Sequence, residues 1–359
     1  MANRTAGTRV KTAAGKQTWK RKQKFFLIET TPGIYCKRCP IAPAPGVFPE
    51  KEGTPLAKEQ IREANAAAPT PSWIFKLPPQ QGPLTDKEAA AVSSLKDELF
   101  EKIAASGRQV RLSLYDYAAQ KWIEHQADLQ FYPASMIKTL LLLAALELAE
   151  GGKLLLERPH LLTESDKYAG KTPVAGSGIL QFATAGSSYT LRELLRLMVT
   201  LSDNVAANII FERVGAANCA ATAKRLGLTE SVFSRKLYDL ESKLPSNKST
   251  ARELTRMLLA LQNREAAGEE FTRAGIEMMA ATALKDRIGR FIGEQAVVAN
   301  KVGTVDGIVG DMALLYFPHR PPLALTVAVE HPPDREDAAH LIGTLAAAVV
   351  RKLAPRRRT

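Results

Sequence analysis

Residues 135–148 read SMIKTLLLLAALEL. A serine and a lysine three positions apart open a run that is apolar almost all round. Positions i and i+3 of a helix share a face, so the Lys138 amine is expected beneath the Ser135 hydroxyl. A helix apolar on every side is one buried on every side, and the run is shorter than the roughly twenty residues a membrane span needs. It stops at Gly151-Gly152, which suit a helix C-terminus.

The segments around this helix supply its surroundings. Thr85 and Glu88 form a capping box that opens a helix over about 86–105. Val110, Leu112 and Leu114 then alternate with polar neighbours, which is strand periodicity, and Lys121–His125 reads as the hairpin partner. On the C-terminal side, two more capping boxes, Thr190/Glu193 and Thr250/Glu253, precede helical patterns (Leu191, Leu194, Leu195, Met198, Val199; then Leu254, Met257, Leu258, Leu261). Strand character returns only at Ala296–Lys301, Met312–Phe317 and Leu323–Glu330, and Asp334–Leu353 closes as a helix. Strands at both ends with helices between them predict an α/β (α+β) fold. Its sheet is assembled from distant segments, 84–135 and 291–353, and carries an all-helical insert over 136–290.

The chain has 359 residues and a net charge of +12. Residues 1–25 hold eight basic residues and no acid, and the last nine hold five, so the body is close to neutral. That leaves no basic face for phosphates and argues against nucleic-acid binding. Residues 1–83, basic and then rich in proline, read as a non-globular leader before a catalytic domain over 84–359; residues 354–359 read as a basic tail. Three cysteines exclude a disulfide framework. Cys36 and Cys39 make a lone CxxC without the second ligand pair that zinc requires, so no metal is expected. Lys20–Lys24 looks like the charged start of an export signal, but the apolar run Phe25–Ile28 ends at Glu29, short of the roughly seven residues such a signal needs.

Three short motifs carry chemistry. Ser135 and Lys138 pair a hydroxyl with an amine that can take its proton if burial lowers the amine's pKa. At a helix start, free N–H groups can also stabilise an oxyanion. Ser202-Asp203-Asn204 follows the amphipathic helix 191–201, placing a second hydroxyl and a carboxamide at a helix terminus. Lys301-Val302-Gly303-Thr304 ends a strand, with a lysine suited to a carboxylate, a glycine that permits close approach to the backbone, and a further N–H.

In that order and setting the three motifs resemble the signature of class A β-lactamases and penicillin-binding proteins. The resemblance spans about residues 85–353. Gly176–Leu180, Asn208, Gly307 and Asp311 also fall in supporting places. It implies a mainly antiparallel sheet and a cleft between sheet and helices. It further implies that Ser135 is acylated, with Lys138 as base or proton relay, Ser202 passing a proton to the leaving nitrogen, and Asn204 orienting the substrate. Lys301 would bind a carboxylate, Gly303 and Thr304 would line the substrate, and the N–H groups of Ser135 and Thr304 would hold the oxyanion. No cofactor is implied, and the substrate would be a small β-lactam or a peptidoglycan-like peptide. The family mostly works outside the cytoplasm.

Two departures stand out. Val302 replaces the usual hydroxyl residue between the lysine and glycine of the third motif, and Thr304 is the candidate to replace its hydrogen bond. The glutamate that class A enzymes carry in an E-x-x-x-N context has no match in 235–247, where Asp239 and Glu241 are the candidate deacylation bases. The alternatives are therefore a penicillin-binding D,D-peptidase or esterase with slow deacylation, and a non-catalytic protein that docks through its basic ends.

Overall fold

The computed structural model describes residues 70–75 and 86–354. The Thr85/Glu88 capping box, the Cys36/Cys39 pair and most of the basic tail lie outside them.

Helix α1 (Asp86–Ser106) leads into the hairpin β1 (Gln109–Asp116) and β2 (Lys121–His125). A 3-10 turn, Ala134–Ile137, runs directly into α2 (Lys138–Glu150). The insert follows, with short strands β3 (Pro159–Leu161), β4 (Tyr168–Ala169), β5 (Thr172–Pro173) and β6 (Ser188–Thr190). Its helices are α3 (Leu191–Thr200), α4 (Asn204–Val214), α5 (Ala216–Arg225), α6 (Ala251–Gln262) and α7 (Glu269–Ala280). Strands β7 (Val297–Val305), β8 (Ile308–Phe317) and β9 (Arg320–Glu330) then precede the closing helix α8 (Arg335–Leu353).

The main sheet has the order β2-β1-β9-β8-β7, and each neighbouring pair is antiparallel. Side chains of a strand alternate between faces, and here the two faces serve two cores. Val309, Ala313 and Leu315 of β8, with Leu325, Val327 and Val329 of β9, pack with α1 and α8 through Leu95, Leu99, Ile342 and Val349. Met312, Leu314, Ala324 and Ala328 face the helical part and join Leu140–Leu146 of α2. Helix α2 is buried on all sides, with residues 138–146 each at most 2% exposed. No helix among the described residues is long and apolar enough to cross a membrane.

Capping follows the sequence closely. Thr190 and Glu193 form the full reciprocal box of α3. Thr250 caps α6 through the Glu253 N–H, but the Glu253 carboxylate turns away to accept from the Glu230 N–H and Ser231 hydroxyl.

Two expectations need correction. The insert is not all-helical, because β3 pairs with β6 and β4 with β5; ribbons of two or three residues are too short to show a period. A piece of the supposed leader is also folded. Ser72–Phe75 forms a 3-10 turn that buries Ile74, 1% exposed, in the helical core. Proline-rich flanks hid that apolar cluster.

Candidate active site

The Ser135 turn is built to lie flush on the sheet. Ala134 takes a left-handed backbone, φ 47°, which turns the chain into the 3-10 segment. That helix repeats every three residues, so Ser135 and Lys138 stay on one face although the α-helix proper starts at Lys138. Gly303 and Gly310 are cross-strand partners on β7 and β8. A Cβ on Gly303 would lie 2.7 Å from the Pro133 carbonyl oxygen, and one on Gly310 would lie 2.5 Å from Met136 Cε. The glycine of the third motif thus also makes room for the chain's own Ser135 turn. Ser135 remains partly exposed beside buried Met136 and Ile137.

Lys138 is fully buried and surrounded by oxygens. Its Nζ lies 2.5 Å from the Ser202 carbonyl, 2.8 Å from Asn204 Oδ1, 3.3 Å from Ser202 Oγ and 3.4 Å from the Asp203 carbonyl. Ser135 Oγ is not among its hydrogen-bond partners. Burial pushes the amine down to about 7, against the opposing pull of Asp203. A neutral amine has two N–H donors and one lone pair. The two shortest contacts go to carbonyl-type oxygens, which only accept, so they take both donors and leave the lone pair for a hydroxyl proton.

Lys301, from β7, is also buried; its Nζ donates to Ser202 Oγ at 2.8 Å and to the Val302 carbonyl at 3.0 Å. Burial, and then repulsion from Lys138, push its pKa well below the usual lysine value. The Ser202 hydroxyl therefore lies between the two amines.

Asp203 fixes the second motif. It caps α4 by accepting from Ala206 N and reaches across to Ile179 N and Leu180 N at 2.7 and 2.9 Å. Its carboxylate sits where helix N–H groups point. Burial still pushes its pKa up against those bonds. Any side chain on Gly178 would collide with Asp203, so the crossing loop needs a glycine there. Ser202 itself has φ 56°, a conformation that costs a non-glycine residue energy and recurs at functional sites. Asn204 donates to the Ala175 carbonyl at 2.7 Å while accepting from Lys138. One turn on, Asn208 clamps the following loop by bonding both the N–H and the carbonyl of Leu237.

Reading motifs missed a second cationic group. Arg287 is 8% exposed and donates to the carbonyls of Gly303 and Gly310 at 2.9 and 2.5 Å and to Thr304 Oγ1 at 2.5 Å. Its Nε has no hydrogen-bond partner, although the Asp286 carboxylate lies 3.8 Å away. Beneath it, Asn300 donates to Asp311, whose pKa burial raises to about 6. Lys285 bonds Asn300 Oδ1 at 2.7 Å, and burial lowers its amine to about 8. Arg287 lies fourteen residues before Lys301 in a stretch without a motif, so nothing local marks it.

The candidate loop acids border Gly170. Asp239 and Glu241 flank Gly170, where an added Cβ would lie 3.8 and 3.6 Å from their carboxylate oxygens. Neither pairs with the neighbouring cations as a surface acid would. Lys236 pairs with Glu212, and Arg235 donates to Ser246 Oγ. Among the described residues, no carboxylate hydrogen-bonds to Ser135, Lys138, Ser202 or Lys301.

An antiparallel sheet joined to a helical insert, with a serine turn, a second serine and two buried lysines at the junction, defines a class A β-lactamase-like serine hydrolase. The chain belongs to the beta-lactamase enzyme family, whose sequence model matches residues 94–353. It is similar to a β-lactamase of Streptomyces fradiae, 27% identical over 233 residues, covering 62% of this chain and 74% of that protein. The crystal structure of a β-lactamase from Sphaerobacter thermophilus superposes with a TM-score of 0.65 at 26% identity, covering 76% of this chain and 98% of that one. PBP-A shares the fold, with a TM-score of 0.65 at 22% identity over 76% of this chain and 98% of its own.

Proposed function

We propose that the protein opens β-lactams, or related D-Ala-D-Ala-like amides, by acylating Ser135, and releases the acyl group slowly. The observation that carries this reading is the Ser202 hydroxyl, 3.3 Å from Lys138 Nζ and 2.8 Å from Lys301 Nζ. Neutral Lys138 accepts the Ser135 proton as Oγ attacks the carbonyl carbon. The N–H groups of Ser135 and Thr304 hold the oxyanion. Ser202 hands a proton to the departing nitrogen and regains one from Lys138, so the amine ends as it began. Lys301 and the Arg287–Thr304 pair form the cationic end that takes the substrate carboxylate, in place of the hydroxyl that Val302 lacks. Water then has to attack the ester without a carboxylate hydrogen-bonded to Lys138, which favours a long-lived adduct.

Intact-mass spectrometry after benzylpenicillin, followed over time, tests this. The wild type should gain the mass of the whole penicillin and keep it for many minutes, and Ser135→Ala should gain nothing. A wild-type chain that neither gains mass nor consumes penicillin ends the reading. Rapid consumption without an adduct would replace slow release with efficient β-lactamase turnover.

A further inference from the structure

One side chain on the loop between α5 and α6 reaches the site without entering the reaction described above. Tyr238 has φ 66°, a left-handed conformation that side-chain-bearing residues rarely adopt. Two neighbours hold it there. Asn208 bonds both backbone groups of Leu237, and the Leu240 N–H donates to the Tyr238 carbonyl at 2.9 Å. The ring thereby extends over Gly176. A Cβ on Gly176 would lie 2.5 Å from the Tyr238 hydroxyl and 3.1 Å from Asn204 Nδ2, so those two polar atoms flank one point.

Their hydrogen bonding is incomplete. Asn204 uses its carbonyl on Lys138 and one N–H on Ala175. Its second N–H and the Tyr238 hydroxyl have no hydrogen-bond partner among the described residues. Tyr238 keeps 37% of its surface exposed. Tyr238 also acts electrostatically on the phenol of Tyr132, three residues before Ser135. Tyr238 thus stands beside the Asn204 amide. Gly176, Ser177 and Gly178 leave the facing loop without a large side chain. Strained backbone held by its surroundings is common where a side chain meets a ligand.

We propose that Tyr238 is the specificity-determining residue for the acyl side chain of the substrate. Its ring packs against that side chain, and its hydroxyl, together with the free N–H of Asn204, brackets the side-chain amide. This subsite rests on the acylation reading above, and the test separates the two. Ser135 acylation rates are measured by mass for benzylpenicillin, which has an aromatic side chain and amide, and for 6-aminopenicillanic acid, which has neither. Tyr238→Gly removes the ring at a position where glycine takes the same backbone without strain. It should lower the benzylpenicillin to 6-aminopenicillanic acid rate ratio about tenfold while changing the latter rate less than about twofold. Tyr238→Phe, which keeps the ring and the packing, should lower the ratio about threefold, and it decides the matter if the glycine variant does not fold. An unchanged ratio in either folded variant, or an equal fall for both compounds, overturns the subsite. Absence of any wild-type adduct with both compounds overturns acylation and the subsite together.

Discussion

The motif residues and the loop after α5 are both firmly held and hold different chemistry. On the motif side, Lys138, Ser202, Asn204 and Lys301 form one hydrogen-bonded set, all of them buried. On the loop side, Asn208 fixes the backbone of Leu237 with two bonds, yet the fixed residue is apolar and 6% exposed. The nearby acids, Asp239 and Glu241, turn to Gly170 instead. In the proposed reaction, formation and release of the acyl-enzyme therefore draw on different segments.

The largest test removes the motif side. Lys138→Met should slow acylation about a thousandfold, as loss of a positioned general base does; a loss below about tenfold would mean that Ser202 or water takes the Ser135 proton.

A pH profile sharpens the same point. In the proposed reaction the unprotonated Lys138 amine is the active form, and burial lowers it to about 7. Wild-type acylation should rise about tenfold per pH unit below that value and level off above it; a profile flat from pH 5 to 8 would contradict the assignment.

Arg287→Gln should lower the acylation efficiency for a penicillin with a free carboxylate by roughly thirtyfold, the range of one charge-assisted hydrogen bond. The methyl ester of the same penicillin should be nearly indifferent to the change.

Leu237→Glu puts a carboxylate on the segment clamped by Asn208, which lies one helical turn after Asn204, the acceptor of the Lys138 amine. The adduct lifetime, followed by mass, should shorten about tenfold or more, with little change in acylation. If lifetime is unchanged, the missing base is not what limits release.

The smallest effect is expected from Asp239→Asn and Glu241→Gln. Each should alter adduct formation and lifetime less than about twofold, as for surface changes away from a site. A larger change in lifetime would restore the loop acids as deacylation bases.

The parts legible in the sequence are those in which one local segment specifies the outcome. The Ser135/Lys138 spacing survives a change from α-helix to 3-10 turn, because both place residues three apart on one face. The alternating Val110, Leu112 and Leu114 form β1 as read, and Thr190/Glu193 cap as read. Other parts depend on neighbours that only folding brings together. Arg287 meets Thr304 across seventeen residues, and Asn208 meets Leu237 across twenty-nine. Gly303 is needed for a turn that lies far away in the chain. No spacing rule reaches those pairs.

The seating of Ile74 has a practical consequence. Its apolar slot in the helical core is filled from a segment that lies ahead of α1 in the chain. A protein trimmed to begin at α1 would lose that stopper and leave an unfilled hollow, at a cost of about 2–5 kcal/mol. Preparations meant for crystals or kinetics should therefore keep residues 70–75 and be compared with the trimmed form by thermal melting.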